Sequence, residues 1–206
     1  MNNATPTVFL VDDDPAVLKS LTRVLRSARL NVAAFNSPQE FLDQLDSSAM
    51  GCLVLDVAMP GLNGLELQEV LTAKGSGLPL IFLTGHGDIP MSVQAMKRGA
   101  IDFLTKPIHD EDLLKAVRFA IDEEREGRKQ RTELDDFKER LAKLTPRERE
   151  VLTHVISGQL NKQIAGDLGT VEKTIKVHRA RVMEKMKTQS LAELVRLAER
   201  AGLTTP

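Results

Sequence analysis

The sequence contains a single cysteine among its 206 residues. One cysteine excludes an internal disulfide framework, so a reducing compartment is the expected environment. Cys52 lies within an apolar run, where a small core residue is a better interpretation than a nucleophile. The N-terminus has no signal-peptide pattern, and no apolar run approaches membrane-spanning length. We therefore expect a soluble, cytoplasmic protein without a membrane partner.

Motifs of two other classes are also absent. No glycine-rich phosphate loop followed by Lys and Ser or Thr occurs, so ATP is not an obvious substrate. The histidines show no close ligand spacing, which argues against a transition-metal site. They are His86, His109, His154 and His178.

What the chain does contain is an uneven distribution of charge. Residues 1–124 carry 10 Lys and Arg against 17 Asp and Glu, whereas residues 125–206 carry 18 against 12. An acidic half followed by a basic half indicates two domains with different partners, and a polyanion suits the second. A hydrophobic content of 42% is enough for a core in each domain.

Short apolar runs alternate with helix-like stretches through the first half. The apolar runs are 7–11, 32–35, 53–55, 79–83 and 101–104. Helices are expected from Pro15, from Pro38 after a Ser37 cap, over 64–71, from Pro90 and from Asp110. This α/β alternation predicts a five-stranded parallel sheet with right-handed crossovers.

Polar residues follow four of the predicted strands immediately or within two residues. They are Asp12, Asp13, Asp56, Thr84 and Lys106. Because ligands bind at the carboxyl edge of an open α/β sheet, we expect these side chains to converge in one crevice. Three carboxylates repel one another unless a cation joins them, and their hard oxygen atoms favour Mg²⁺. A carboxylate such as Asp56 can attack phosphorus, while the Lys106 ammonium and the Thr84 hydroxyl would stabilise the phosphoryl oxygens.

Four motifs together resemble the receiver domain of two-component response regulators, over residues 7 to about 124. They are Asp12-Asp13, Asp56 with Met59-Pro60-Gly61, Thr84-Gly85 and Lys106-Pro107. The resemblance implies a flavodoxin-like fold with strand order 2-1-3-4-5. It also implies phosphoryl transfer from a sensor histidine kinase to Asp56.

The same resemblance implies roles for individual residues. Mg²⁺ would be held by Asp13, Asp56 and the Ala58 carbonyl, with Asp12 acting through water. Phe103 would fill the switch aromatic position, and the Lys106-Pro107 bond would be cis.

A phosphatase of the haloacid-dehalogenase type is the enzyme alternative, because it also uses an Asp nucleophile. Such enzymes place a second Asp two residues later as general acid. Ala58 occupies that position here and has no proton to give. We therefore expect no independent enzyme activity, only phosphorylation and dephosphorylation at Asp56.

The segment that joins the two halves is predicted as a linker over residues 125–143. No apolar side chain occurs from Asp122 to Glu133, which is typical of a solvated helix or a flexible tether. An apolar stripe then follows at 3-4-3 spacing: Leu134, Phe137, Leu141 and Leu144. The stripe is too short for a stable coiled coil, so docking on a neighbouring domain is favoured. The predicted domains are 1–124 and 144–206.

The second domain shows a series of short helices joined by turns. Thr145-Pro146-Arg147-Glu148 is a capping box, and Asn161 is expected to cap a second helix that ends before Gly169. A third helix, predicted over 171–186, is rich in cations. This pattern fits a helix-turn-helix in a four-helix domain, although small helical domains without that role share it.

Leu144-Thr145-Pro146-Arg147-Glu148, Asn161-Lys162-Gln163-Ile164-Ala165 and Thr174-Ile175-Lys176-Val177-His178-Arg179 resemble the LuxR-type DNA-binding domain. Together with the receiver, the pattern is similar to the FixJ branch of response regulators. The family usually has Ser where this chain has Val171, so Thr170 is a candidate cap instead. The residues expected at DNA are Lys173, Thr174, Lys176, Val177, His178, Arg179 and Arg181. His178 is expected either at this face or packed beside it.

The resulting prediction is a phosphorylation-controlled transcription regulator that binds promoter DNA, with RNA polymerase as a further partner. A rival is a DNA-binding protein whose receiver responds to protein contacts without phosphate. A single domain of this type reads few base pairs, so we expect a homodimer when phosphorylated. The face built from residues 90–98 and 101–104 carries Met91, Val93, Met96 and Lys97, which suits a reversible interface or ordinary core packing.

Overall fold

The computed structural model describes residues 5–46, 49–85, 93 and 95–203. The chain divides into two compact units, Met1–Arg128 and Lys129–Pro206, and the division falls inside the predicted linker. Within the described ranges, no helix is long and apolar enough to cross a membrane.

The first unit is built on a parallel sheet, as predicted. Its strands are β1 (Thr7–Val11), β2 (Asn31–Phe35), β3 (Gly51–Asp56), β4 (Leu80–Thr84) and β5 (Asp102–Thr105). They are paired in the order β2-β1-β3-β4-β5, which confirms the predicted flavodoxin-like topology. The order leaves β3 in the centre, and every residue of β3 is buried.

Helices connect these strands and build the second unit. They are α1 (Pro15–Ser27), α2 (Pro38–Gln44), α3 (Gly64–Ala73), α4 (Asp110–Ala142), α5 (Pro146–Ile156), α6 (Asn161–Asp167), α7 (Glu172–Met186) and α8 (Leu191–Arg200). Of the helix predicted from Pro90, residues 93 and 95–97 are helical. Its other residues before Ala95, including the predicted interface residue Met91, lie outside the described residues, as does His86.

Two apolar cores cover the two faces of the sheet. Alternate residues of β3 face opposite sides, so Val54 belongs to one core and Leu55 to the other. Helix α1 contributes its apolar stripe to the first core: Leu18, Leu21, Val24 and Leu25. Because both faces of β3 are covered, its run of apolar residues is continuous rather than alternating.

The second unit has a core of its own, to which the end of α4 contributes. Phe137 of α4 is fully buried there, and Leu141 packs against the same cluster. Leu144, just past the end of α4, is buried in the same core. The residues from Asp122 to Glu133 are helical, which decides between the two predicted states of that segment in favour of a helix. Three of the four residues of the stripe, Phe137, Leu141 and Leu144, therefore dock on the C-terminal unit as favoured, whereas Leu134 is half-buried and is not part of that core.

Two predicted helix caps in this unit are wrong. The residue before α6 is Leu160, and Asn161 is the first helical residue, so its side chain does not cap. The Asn161 Oδ1 instead accepts a hydrogen bond from Arg179 at 3.3 Å. Before α7 the N-cap is Val171, with no side-chain cap, so Thr170 does not fill that role either.

Glu148 forms a buried polar link at the start of α5. Its carboxylate accepts a hydrogen bond from the Lys185 ammonium at 2.6 Å and another from the Thr145 backbone N–H at 2.8 Å. These two hydrogen bonds lower the pKa of Glu148 to about 2, and the bond from Lys185 has the larger effect. The charged carboxylate is therefore bound more strongly in the folded state than in the unfolded chain, where the pKa of Glu is about 4.3.

A pH-dependent stability follows from this depressed pKa. The stabilisation by Glu148 is complete above the unfolded pKa and is lost as the pH falls toward about 2. Glu148→Gln should lower the free energy of unfolding of the C-terminal unit by about 1–2 kcal/mol at pH 7, since Lys185 is partly solvated, and by almost nothing at pH 2. Hydrogen exchange of the α5 amides measures this change.

The matched control is Glu150→Gln, because Glu150 forms an exposed ion pair with Arg147 on the same helix. Its effect should be small at every pH. Equal effects of the two variants at pH 7 would contradict the assigned role of Glu148.

Candidate functional site

Three strands of the sheet bring two carboxylates and one ammonium together at their carboxyl ends. The Lys106 Nζ lies 2.7 Å from an Asp12 oxygen and 2.7 Å from an Asp56 oxygen. Both aspartates are buried, and the Thr84 hydroxyl-bearing side chain is buried at the end of β4. The sequence predicted this convergence, and the structure shows it for Asp12, Asp56 and Lys106, while Thr84 is the last residue of the adjacent strand β4.

The backbone around the site fixes these side chains. The remaining Asp12 oxygen accepts the Asp14 backbone N–H at 2.9 Å, and the second Asp56 oxygen accepts the Ala58 N–H at 3.0 Å. The backbone N–H of Lys106 donates to the backbone carbonyl of Thr84 at 2.7 Å. This hydrogen bond joins the ends of β4 and β5. The Lys106-Pro107 peptide bond is cis. Each functional group is therefore held by the turn that follows its strand.

The electrostatics of the site follow from burying two acids with one base. Burial raises the pKa of Asp56, the Lys106 hydrogen bond and charge lower it, and the nearby Asp12 charge raises it again, with a net increase. Burial alone would lower the pKa of Lys106, but its hydrogen bonds to Asp12 and Asp56 outweigh that effect and raise it. The two carboxylate partners therefore favour the charged form of the Lys106 ammonium.

The other predicted residues of this site lie around the cluster. Asp13 is exposed, and Phe103 is half-buried, with its ring centroid 6.3 Å from that of Phe82. Among the residues that the structure describes, no group of three or more Asp, Glu, His or Cys side chains is arranged to hold a metal ion. The metal role predicted for Asp12, Asp13, Asp56 and the Ala58 carbonyl therefore stays a prediction.

Sequence reasoning missed one residue that supports Asp56. Gly64, the first residue of α3, donates its N–H to the Val57 carbonyl at 3.0 Å. A Cβ at this position would lie 2.5 Å from the Asp56 carbonyl oxygen. Only glycine allows α3 to begin so close to the end of β3. The glycine after Asn63 was visible in the sequence, but the close approach depends on tertiary packing.

The second candidate site is the outward surface of α7. Ile175, Val182 and Met186 are buried on its inner side. The exposed side carries Lys173, Lys176, Val177, Ala180 and Arg181. The Lys176 Nζ lies 3.0 Å from Glu172 in an exposed ion pair, an interaction weak enough to yield to another anion.

Three of the residues predicted at DNA are less accessible than the others. Thr174 and His178 are half-buried, and the His178 Nδ1 is buried without a hydrogen-bond partner among the described residues. Arg179 is also half-buried and donates to Asn161 of α6. The exposed cations are therefore Lys173, Lys176 and Arg181 on this part of α7.

Two family models match the chain. Residues 8–118 match the response regulator receiver domain, and residues 142–198 match the bacterial regulatory proteins of the luxR family. The first match includes Asp12, Asp56, Thr84 and Lys106, and the second includes all of α7.

Curated relatives match nearly the whole chain. The transcriptional regulatory protein FixJ of Bradyrhizobium diazoefficiens is 45% identical over 196 residues, which is 95% of this chain and 96% of the relative. The response regulator protein TodT of Pseudomonas putida is 44% identical over 200 residues, covering 97% and 88%.

Solved structures give the same result. The response regulator StyR is 48% identical with a TM-score of 0.80, covering 96% of this chain and 100% of that one. Full-length FixJ from B. japonicum is 44% identical with a TM-score of 0.59, covering 97% and 98%. This chain therefore belongs to the FixJ branch of response regulators, which combine a receiver domain with a LuxR-type DNA-binding domain.

Proposed function

We propose that this regulator accepts a phosphoryl group on Asp56 from a sensor histidine kinase and thereby controls its binding to promoter DNA. The observation that carries the proposal is the buried cluster of Asp12, Asp56 and Lys106, joined by two ion pairs of 2.7 Å. Such a cluster is expensive to bury, and phosphoryl transfer is a reaction that uses each of its groups.

In the proposed reaction, a carboxylate oxygen of Asp56 attacks the phosphorus of the donor. A new oxygen–phosphorus bond forms while the bond to the donor's leaving group breaks, and the leaving group takes its electron pair. The Lys106 ammonium contacts Asp56 before the reaction. It can therefore form a new ion pair with the phosphoryl oxygens once the phosphoryl group is bonded to Asp56. The Thr84 hydroxyl is proposed as a donor to one of those oxygens.

The donor atoms that we propose for the metal are of the chemical kind that Mg²⁺ prefers. Asp12, Asp13 and Asp56 supply carboxylate oxygens and Ala58 a backbone carbonyl, which are the hard ligands that this ion prefers. The excess negative charge of the buried cluster, with two carboxylates for one lysine, also favours a cation. When bound, the ion would neutralise phosphoryl charge during transfer.

For the C-terminal half, we propose sequence-specific DNA binding through α7. The domain bounds proposed from the sequence are 1–124 for the receiver, 125–143 for the linker and 144–206 for the DNA-binding domain. The exposed cations of α7 support a polyanionic partner, and the luxR-family match supports DNA as that partner. RNA polymerase is a proposed further partner at the promoter.

The proposed function is tested with acetyl phosphate as the phosphoryl donor. We expect covalent phosphorylation of the full-length chain that requires Mg²⁺ and that increases its affinity for a duplex selected from a random library. Phosphorylation without any change in DNA affinity would favour the rival model, in which protein contacts control the receiver.

A prediction for the DNA surface concerns Lys176. Lys176→Ala should weaken binding to the selected duplex by roughly 1–3 kcal/mol if the ammonium reads a base, or reduce the salt slope by about 1 if it contacts a phosphate. Binding isotherms at several salt concentrations distinguish these two contacts. Lys74→Ala, at the exposed end of α3, is the control and should bind as the wild type does. Unchanged affinity and slope in Lys176→Ala would exclude this residue from the interface.

We also propose that phosphorylation promotes a homodimer through the face beside β5. This strand is the edge of the sheet, and the preceding helical residues Val93 and Met96 are 46% and 45% exposed. A phosphoryl group can favour the dimer only if the two receiver states differ in their contacts with it. Thr84 and Phe103 are the proposed switch residues, since Thr84 is the last residue of β4 and Phe103 lies in β5, three residues before Lys106.

The dimer prediction is tested at Val93. Val93→Arg should weaken the phosphorylated dimer at least tenfold, because an apolar contact is replaced by two like charges across a twofold axis. The control is Asn31→Arg on β2, the opposite edge of the sheet. Sedimentation with and without acetyl phosphate measures the effect. A wild-type receiver that stays monomeric when phosphorylated, yet gains DNA affinity, would exclude this route.

A further inference from the structure

A hydrogen bond from Arg140 connects the last turns of α4 with the C-terminal end of α7. The Arg140 Nη1–H donates to the Met186 carbonyl at 3.0 Å, and the Arg140 Nε–H donates to the Asp136 carbonyl of its own helix at 2.9 Å. Two backbone acceptors thus hold one planar guanidinium in a fixed orientation. Phe137, one turn earlier, is buried in the core of the same unit.

The carbonyl that Arg140 contacts lies at the C-terminal end of α7, where the helix itself provides few hydrogen bonds. Met186 is its last residue, and the last carbonyls of a helix have no intrahelical partners. The next residue, Lys187, has φ of 52°, a left-handed conformation that is unfavourable for a residue with a side chain. A cation at this end also compensates the helix dipole. Arg140 supplies both a donor and a positive charge.

The position of this contact matters because a helix moves as one body, so that a small tilt at one end of α7 displaces the other end. The exposed Lys173 and Lys176 lie in its first half, and Arg140 holds its last residue. Lys173 is about 20 Å from Met186 along the helix axis at the usual rise. A tilt of about 5° at Met186 would therefore displace the backbone of Lys173 by nearly 2 Å, roughly two-thirds of a hydrogen-bond length.

We propose that Arg140 is a positioning residue for DNA recognition. By holding the Met186 carbonyl, Arg140 makes the orientation of α7 depend on the last turns of α4, so that a change in α4 alters the fit of α7 to base edges. The inference rests on the proposed function of α7 as the DNA-contacting helix. Arg140 itself contacts no DNA in this scheme.

The alternative role for Arg140 is a direct phosphate contact. The two roles differ in their salt dependence. Losing a phosphate contact reduces the slope of log K against log salt by about one and weakens binding to every sequence. Losing a positioning contact leaves the slope unchanged and weakens mainly the sequence-specific complex, because only base readout depends on the exact position of α7.

The test compares Arg140→Met, Arg140→Lys and the control Lys138→Met in the full-length chain. Arg140→Met keeps an unbranched apolar stem without the donors, Arg140→Lys keeps one donor group and the charge, and Lys138 is exposed on the same helix. Two probes are used: a duplex selected from a random library by the wild type, and the same duplex with its sequence scrambled.

We expect Arg140→Met to bind the selected duplex five- to twentyfold more weakly, with an unchanged salt slope and an unchanged affinity for the scrambled duplex. Arg140→Lys should recover part of the loss, and Lys138→Met should match the wild type. Equal weakening on both duplexes with a shallower slope, or no weakening of either, would overturn the proposal.

Two further outcomes are also decisive. If Arg140→Met does not fold, as judged by circular dichroism, the comparison rests on Arg140→Lys, which must then lose selectivity between the duplexes without a change in slope. If the wild type selects no sequence at all, the proposed function of α7 fails. A wild type that selects a sequence, with Arg140 variants that read it equally well, refutes this inference alone.

Discussion

Asp56→Asn should abolish phosphorylation by acetyl phosphate. The amide nitrogen has no available lone pair, and the amide oxygen is a far weaker nucleophile than a carboxylate oxygen, so no bond to phosphorus forms. Because Asn has nearly the same shape as Asp, the turn after β3 and the hydrogen bond from Ala58 can persist. Mass spectrometry of the intact protein, with and without Mg²⁺, detects the added phosphoryl group.

The same substitution should leave the receiver folded. Asp12 and Asp56 share the single ammonium of Lys106, and the Asp12 charge acts against ionisation of Asp56. Removing one of the two buried charges relieves this repulsion, so the free energy of unfolding should stay the same or increase. Asp112→Asn, at an exposed position early in α4, is the control for labelling. Undiminished labelling of Asp56→Asn would place the acceptor elsewhere.

The sheet and the meeting of Asp12, Asp56 and Lys106 were predictable from the pattern of apolar runs and the residues that follow them. Continuous apolar runs such as Leu53–Leu55 indicate strands covered on both faces, and parallel strands must have their carboxyl ends on one edge. Asp12, Asp56 and Lys106 each follow such a run, so their meeting follows from the topology.

The helix starts in the C-terminal unit were not predictable in the same way. Asn161 and Thr170 are residue types that often cap a helix at its start. The residue at which a helix begins, however, is also set by packing against other helices. Asn161 is used for a contact with Arg179, eighteen residues later in sequence. The capping propensity of a single residue does not predict a contact with a residue so far along the chain.

The sequence left two places open for His178, and the helical spacing favours the one beside the DNA face. His178 follows Ile175 by three residues and precedes Val182 by four, which places it on the buried stripe of α7. The half-buried imidazole in the structure agrees with this spacing. By contrast, the Arg140 contact with Met186 joins residues far apart in sequence, and no local pattern indicates it.

Phe137→Ala should destabilise the C-terminal unit more than any surface substitution. The Phe137 side chain is fully buried among Val151, Leu152 and other residues of that core, although it lies before the domain start predicted at residue 144. Replacing a buried Phe by Ala removes its transfer free energy and leaves a cavity, at a cost of about 3–5 kcal/mol. Domain stabilities are typically about 5–15 kcal/mol, so this loss is a large fraction of the total.

The chain offers a matched control on the same helix. Phe119 of α4 is 55% exposed, so Phe119→Ala should change the free energy of unfolding by less than about 0.5 kcal/mol. Hydrogen exchange of peptides from α5 and α7 in the full-length protein reports the C-terminal unit separately from the receiver. A similar small effect in both variants would mean that α4 only lies on the surface of this unit, and the boundary at residue 144 would stand. A loss of several kcal/mol in Phe137→Ala alone would instead extend the folded DNA-binding domain into the last turns of α4, where Arg140 is anchored.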